Sequence, residues 1–213
     1  PKRAIQEGKS FYKLTIKVRQ ELVAFGITKD SYCMNNVGKH LSSDDYNTAL
    51  ENPDAIIVDM RNHYESEIGR FKGAIVPDVE KSKELLPKVK QILKGREQDQ
   101  VLLYCTGGIR CEKASSYLKQ IGYRNVSQLR GGIINYLEYK KNSRQPKKMQ
   151  WKGECFVFDN RVSVDHDLQK GNYALCHACR HPLSEAEFHS DGYLAGISCR
   201  HCFTKTTTEQ KVP

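Results

Sequence analysis

Val101-Leu-Leu-Tyr104 runs directly into Cys105-Thr-Gly-Gly-Ile-Arg110. Four consecutive apolar residues bounded by polar ones read as a short strand buried on both faces, the kind found in parallel sheets. A helix is expected next, from Glu112 to Ile121, ended by Gly122. A cysteine that leaves a buried strand just before a helix lies at the carboxyl edge of an α/β sheet, where such sheets bind ligands.

The pattern repeats on both sides of this stretch. Ala55-Ile-Ile-Val58 is a second continuous apolar run, with Asp59 at its C-terminal end, and Val126 to Leu129 is a third strand. Ser42-Ser43-Asp44-Asp45 is an N-capping cluster for a helix to about Leu50, and Asn52-Pro53-Asp54 is a turn. Tyr64 to Ile68 is expected to make one or two helical turns. Leu85, Leu86, Val89, Ile92 and Leu93 have helical spacing, with Pro87 in the first turns. Gly131-Gly132 opens a last helix, from Ile133 to about Lys141. Alternating strands and helices predict a parallel α/β sheet with helices on both faces, for which residues 35–143 suffice. Before it, Phe11 to Val18 alternates apolar and polar positions and predicts a strand in need of a partner. After it, Asn142 to Lys152 reads as a basic linker, Phe156-Val-Phe158 as a short strand, and the tail from Thr204 as a fraying end.

The chain has 213 residues, 38% hydrophobic and 28% charged, which describes a soluble globular protein rather than a disordered or fibrous one. No window approaches 18 consecutive apolar residues, so no membrane partner is expected. Pro1 to Ser10 carries no apolar signal region, so a cytoplasmic, reducing compartment is expected. There the eight cysteines read as thiols and metal ligands, not disulfides. Lys and Arg outnumber Asp and Glu by 34 to 25, a net charge of +9, which permits a polyanionic partner. Lys140, Lys141, Arg144, Lys147, Lys148 and Lys152 form a basic run near Trp151, readable as a grip on the phosphates of such a partner or, more simply, as a solvated linker. The basic stretch from Lys81 to Arg96 reads as an exposed helix face.

The chemistry concentrates at Cys105. Gly107 and Gly108 let backbone N–H groups turn inward, and the following helix adds its positive N-terminal end. Together with Thr106 and Ile109 they form a cradle for an anion, in which a Cys105 thiolate is stabilised. Arg110 is placed to reach back to the loop carbonyls or to a bound anion. Three accessory candidates surround the pair. Cys111 reads either as a thiol that resolves a sulfenate or persulfide on Cys105, or as a small residue packing at a helix start. Asp59 and Arg61 close the neighbouring strand, and His63 beside them either lines the same crevice or lies on the surface. Cys33 and Cys155 read as inert packing residues.

These residues resemble the rhodanese family: Val58-Asp59-Met60-Arg61 with Glu65, Gly73-Ala74, the loop Cys105-Thr-Gly-Gly-Ile-Arg110, and Gly131-Gly132-Ile133. The resemblance covers about residues 35–143 and implies that Cys105 carries a persulfide. Four residues separate Cys105 from Arg110, one fewer than in the related cysteine phosphatases, which suits sulfur better than a phosphoryl group. A narrower likeness follows from Met60-Arg-Asn-His-Tyr-Glu65, Tyr104-Cys-Thr-Gly-Gly-Ile-Arg-Cys-Glu-Lys-Ala114, Asn36-Val-Gly38 and Phe156-Val-Phe-Asp159. These resemble the bacterial tRNA uridine hydroxylases, rhodanese-related oxygenases. That resemblance implies oxygen-dependent 5-hydroxylation of the wobble uridine, with tRNA as partner and molecular oxygen as co-substrate. It also implies that residues 1–30 are the remnant of an N-terminal ferredoxin-like domain, ahead of a rhodanese domain over 31–145.

Residues 146–213 read as the linker and a small zinc-binding module. Cys176-x2-Cys179 and Cys199-x2-Cys202, 19 residues apart, supply four thiolates, the preferred set for a structural Zn²⁺ site. Four protein ligands leave no open position, so a catalytic metal is not expected. His177, His181 and His201 read as neighbours of the site, not ligands. Three functions follow as expectations: tRNA wobble-uridine hydroxylation through Cys105, sulfur transfer through a Cys105 persulfide, and a non-enzymatic module that binds RNA.

Overall fold

The computed structural model describes residues 16–19, 21, 23–142 and 149–207. Its centre is a four-stranded parallel sheet of β1 (Lys39–Leu41), β2 (Ile56–Asp59), β4 (Val101–Tyr104) and β5 (Val126–Leu129), in the order β1-β5-β4-β2. This is an α/β fold with a parallel sheet and flanking helices. Every residue of β2, β4 and β5 is buried, the polar Asp59, Ser127 and Gln128 included.

The period of two along β4 divides the core. Val101, Leu103 and Cys105 face α3 (Ser82–Ile92) and α4 (Ile109–Gln120), joined by Phe25 from the N-terminal segment. Leu102 and Tyr104 face the other way, toward α1 (Ser43–Leu50) and α5 (Gly132–Asn142). The Ser42 side chain caps α1 by accepting from Asp45 N at 3.1 Å. Pro87 lies inside α3, because the helix begins three residues before the apolar face does. α4 also begins three residues earlier than Glu112, which moves Ile109, Arg110 and Cys111 from loop to first turn. Gly108 caps it at φ +88, a left-handed conformation without a polar capping side chain.

Six strands are additional to the sequence reading: β1, β3 (Gly69–Phe71), β6 (Trp151–Gly153) and three two-residue strands after it. β6, at the end of the segment read as a linker, pairs antiparallel with β3. Trp151 is 2% exposed and packs edge-on against Phe71 at 5.2 Å. Cys155, Val157 and Val164 join the same core, so residues 151–164 dress the α/β unit, with β7 (Cys155–Phe156) and β8 (Ser163–Val164) forming a hairpin. Lys152 is exposed, whereas Lys140 is buried with its ammonium 5.7 Å from the Tyr136 ring; Arg144, Lys147 and Lys148 lie outside the described residues.

Beyond this, β9 (Ala174–Leu175) and β10 (Pro182–Leu183) carry the first cysteine knuckle. The strand expected over Phe11 to Val18 falls largely outside the described residues. Its described end has no strand, and Ile16 and Val18 are exposed with no cover among the described residues. Cys33 is exposed instead of packed: the chain passes over α4 there, and its backbone N–H and carbonyl both bond to the Ser116 hydroxyl. Among the described residues no helix is long and apolar enough to cross a membrane.

Candidate active site and metal centre

Cys105 leaves β4 at the carboxyl edge of the sheet and is held from two directions. The Gly108 N–H, at the start of α4, donates to Cys105 Sγ at 3.1 Å. From α5, Ile133 N donates to the Cys105 carbonyl at 3.0 Å and Ile134 N to the Thr106 carbonyl at 3.2 Å. The first helix therefore solvates the sulfur and the second fixes the backbone that carries it. The second grip needs Gly132, whose φ is +70 and whose place leaves no room for a side chain: a Cβ there would lie 2.5 Å from the Cys105 carbonyl oxygen.

These contacts set the acidity of the thiol. A hydrogen bond from the Cys111 thiol is the largest influence and lowers the Cys105 pKa. Burial opposes it, the charge of Arg110 and the Cys111 and Arg110 backbone amides assist, and the thiol settles at about 6. Cys111 is its complement: burial and the bond it gives to Cys105 push its pKa well up, so it remains a thiol. Cys105 is 2% exposed, Ile109 projects at the rim, and the space before Gly107 is open.

Arg110 does not return to the loop carbonyls. Its guanidinium forms a two-pronged ion pair with Glu65, at 2.6 and 2.7 Å. Its Nη2 also lies 3.3 Å from Thr106 Oγ1, which donates to Glu65 Oε2 at 3.4 Å. Glu65 belongs to α2 (His63–Glu67), where it also completes a capping box with Asn62. Sequence reasoning quoted Glu65 within a motif but did not connect it to Arg110.

Asp59 and Arg61 are fully buried and bound to each other, Nε to Oδ1 at 2.9 Å and Nη2 to Oδ2 at 2.6 Å. Arg61 also donates to the Gly69 carbonyl at 2.6 Å and the Glu65 carbonyl at 3.2 Å, and Ser66 donates to Asp59 at 2.8 Å. The pair thus pins α2 and β3 against the sheet and places Glu65. Cys155 lies in the same layer, where burial pushes its thiol up to about 12 and keeps it inert.

The outer face of α2 meets the cysteine module. His63, near Glu67 at 3.5 Å, lines a cleft of about 950 Å³ with Tyr64, Phe158, Lys81, Arg180 and Lys205; Cys105 is not part of its wall. Glu67 pairs with His181 at 2.8 Å, and the His181 ring stacks on His201 with centroids 3.5 Å apart. His177 is exposed.

Cys176, Cys179, Cys199 and Cys202 bring their sulfurs within 4.8 Å of one another, positioned to bind a metal ion. Three of the separations are 3.7, 3.8 and 4.0 Å. A tetrahedron with metal–sulfur bonds of about 2.3 Å has edges of about 3.8 Å, so the sulfurs fit zinc. Leu183 is the one other fully buried apolar residue in this small core, a composition that leaves much of the stability to the metal.

Residues 42–139 match the rhodanese-like domain family. Similar solved structures include the rhodanese-like domain of an Anabaena protein, at 18% identity and TM-score 0.41, covering 54% of this chain and 78% of that one. A rhodanese-like domain protein from Staphylococcus aureus is similar at 22% identity and TM-score 0.38, covering 46% and 90%. A thiosulfate sulfurtransferase from Pseudomonas aeruginosa is similar at 20% identity and TM-score 0.42, covering 55% and 22%.

Proposed function

We propose that the chain, whose residues 42–139 match the rhodanese-like domain family, is a tRNA-modifying enzyme in which the Cys105 thiolate is the covalent nucleophile. The reaction is oxygen-dependent 5-hydroxylation of the wobble uridine. The observation that carries this reading is the pairing of Arg110 with Glu65 beside a thiolate of pKa about 6. A nucleophile is available at neutral pH, while the adjacent guanidinium is already neutralised by a carboxylate. Such a site suits a neutral electrophile better than an anionic sulfur donor.

Uracil is such an electrophile. Addition of Cys105 Sγ to C6 makes C5 electron-rich, as in an enamine. With dioxygen first reduced to hydrogen peroxide by an external two-electron donor, C5 attacks one peroxide oxygen, the O–O bond breaks and hydroxide leaves; loss of the C5 proton to that hydroxide with expulsion of the thiolate then restores the ring. The Gly108 N–H stabilises the thiolate before addition and after release. The net charge of +9 supports a polyanionic partner, while the cleft beside α2 is lined by Glu67, Glu80, Glu84 and Asp159 as well as by Lys81, Arg180 and Lys205. Phe158, 63% exposed there, offers a ring for base stacking near Arg180 and Lys205. A zinc ion at the four cysteines would keep this wall of the cleft folded and take no part in the chemistry.

The test is nucleoside mass spectrometry of tRNA from cells lacking the gene, with complementation by the wild type and by Cys105→Ser. Loss of 5-hydroxyuridine derivatives, restored by the wild type alone, supports the proposal; unchanged levels overturn it. The second reading, sulfur transfer, is favoured by the domain family and the same acidic thiol. Under that reading thiosulfate adds one sulfur atom to Cys105, and purified protein consumes it efficiently while ignoring tRNA. Under either reading the zinc module and basic linker are accessory. A purely RNA-binding role leaves the depressed Cys105 pKa without use.

A further inference from the structure

The β3–β6 ladder sets two like charges opposite each other. Arg70 of β3 and Lys152 of β6 are direct partners in the antiparallel register, and both are exposed. Like charges at such positions weaken a ladder. Lys72, also exposed, continues the row, its N–H donating to the Gln150 carbonyl at 2.9 Å. The three cations line one groove of about 330 Å³, whose wall also includes Gly69, Gly73 and Gly153. None of the three forms an ion pair among the described residues. The carboxylate in the groove wall, Glu67, is engaged with His181 at 2.8 Å. Phe71 and Trp151, the aromatic residues of the ladder, belong to the core and are buried, so the groove offers no ring for stacking.

We propose that this groove binds the sugar–phosphate backbone of an RNA stem, with Arg70, Lys72 and Lys152 as its phosphate contacts. The identity of the polyanion rests on the reading of tRNA as partner; the place on the fold rests on the ladder. Cations without protein counterions are what a polyanion engages, and its own condensed cations are released as it does so. Without an exposed ring, the groove can hold phosphate and sugar but not stack on a base. A stem suits it, because A-form RNA is met largely through its backbone and shape. An anionic membrane suits it less, since no large apolar side chain is exposed in the groove to enter a lipid surface. The ladder is also tied to the Cys105 loop. Arg61 donates to the Gly69 carbonyl at 2.6 Å, and β3 follows α2, whose Glu65 grips Arg110. A stem seated on β3 and β6 therefore keeps a fixed relation to Cys105.

The test is fluorescence anisotropy of a labelled anticodon stem–loop with the full chain, titrated at several salt concentrations. Arg70→Gln combined with Lys152→Gln is expected to weaken binding about tenfold or more and to lower the slope of log affinity against log salt by about 2. Lys152→Arg is expected to keep the wild-type affinity. Lys152→Glu sets opposite charges across the ladder, so it is expected to bind the stem–loop more weakly and yet unfold at a higher urea concentration than the wild type. A residue that served only the fold would not separate these two readouts. The assignment falls if the double variant keeps the wild-type affinity and slope, or if Lys152→Glu loses stability along with affinity; the tRNA reading survives either result. A wild-type chain that does not bind the stem–loop, whether or not it binds phosphatidylcholine–phosphatidylserine vesicles, overturns both.

Discussion

Both terminal nitrogens of Arg110 meet both carboxylate oxygens of Glu65, at 2.6 and 2.7 Å, across 45 residues of sequence. The pair locks α2 to α4 beside Cys105 and cancels the charge that an anionic substrate would seek. Replacing Glu65 by Gln leaves a largely buried guanidinium without its counterion. The expected cost is about 3 kcal/mol in urea denaturation. The freed Arg110 should also bind thiosulfate more tightly, read as a lower KM for any sulfurtransferase side activity. Unchanged stability and KM would show that the pair does not govern the loop.

The alkylation rate of Cys105 against pH should follow a thiolate with apparent pKa about 6. Removing the Cys111 thiol, the largest cause of the shift, should move the curve upward. The same shift makes stability pH-dependent. Between the folded pKa near 6 and the ordinary thiol value of 9, the unfolded chain holds a proton that the folded one has released. Stability from this group therefore rises with pH across that window and is lost as pH falls through 6. Cys105→Ser should abolish the alkylation signal and flatten this part of the stability profile.

Asp59→Asn should unfold the protein more readily, by about 3–5 kcal/mol, because Arg61 would be left buried without an ionised partner. The alkylation rate of the molecules that remain folded should hardly change, since Asp59 supports α2 and does not handle substrate. A large loss of Cys105 reactivity in folded protein would contradict that division of labour.

Gly132→Ala should be damaging for a different reason. Its φ of +70 disfavours any side chain, and the new Cβ would press on the Cys105 and Thr106 carbonyls. The strain is worth about 1–3 kcal/mol. Either the loop or α5 must retreat, and alkylation of Cys105 should slow.

Zinc should be present at one ion per chain, and Cys176→Ser should release it. Trp151 is the single tryptophan and lies in the α/β core, so its emission should stay that of a buried indole after chelation. Circular dichroism and proteolysis should meanwhile report loss of structure beyond about residue 174. A red shift of Trp151 on chelation would mean that the two cores are not independent.

The sheet centre was legible because Ala55-Ile-Ile-Val58 and Val101-Leu-Leu-Tyr104 are continuous apolar runs, which have no other stable home than a doubly covered position, and Val126 to Leu129 follows at the spacing of a third strand. β1 was not, since Lys39-His-Leu41 carries one buried apolar residue and owes its strand to pairing with β5. β6 was hidden by lysine-rich surroundings, and only the ladder with β3 reveals Trp151 as core. The four cysteines and Cys105 were found by spacing and position. The Glu65–Arg110 and Asp59–Arg61 pairs were not, because a sequence names charges without saying which ones face each other. The early start of α4 was missed because a left-handed Gly108 replaces the usual polar cap.

The β3–β6 ladder also decides what happens when the backbone is severed. β3 lies in the first half of the chain and β6 beyond α5, with residues 143–148 between Asn142 and Met149. A single cut in that interval separates the polypeptide into two covalent pieces. The larger still grips the smaller through three paired positions, the Trp151 ring and Cys155. A nicked sample should therefore run as one particle on gel filtration and as two bands only after denaturation.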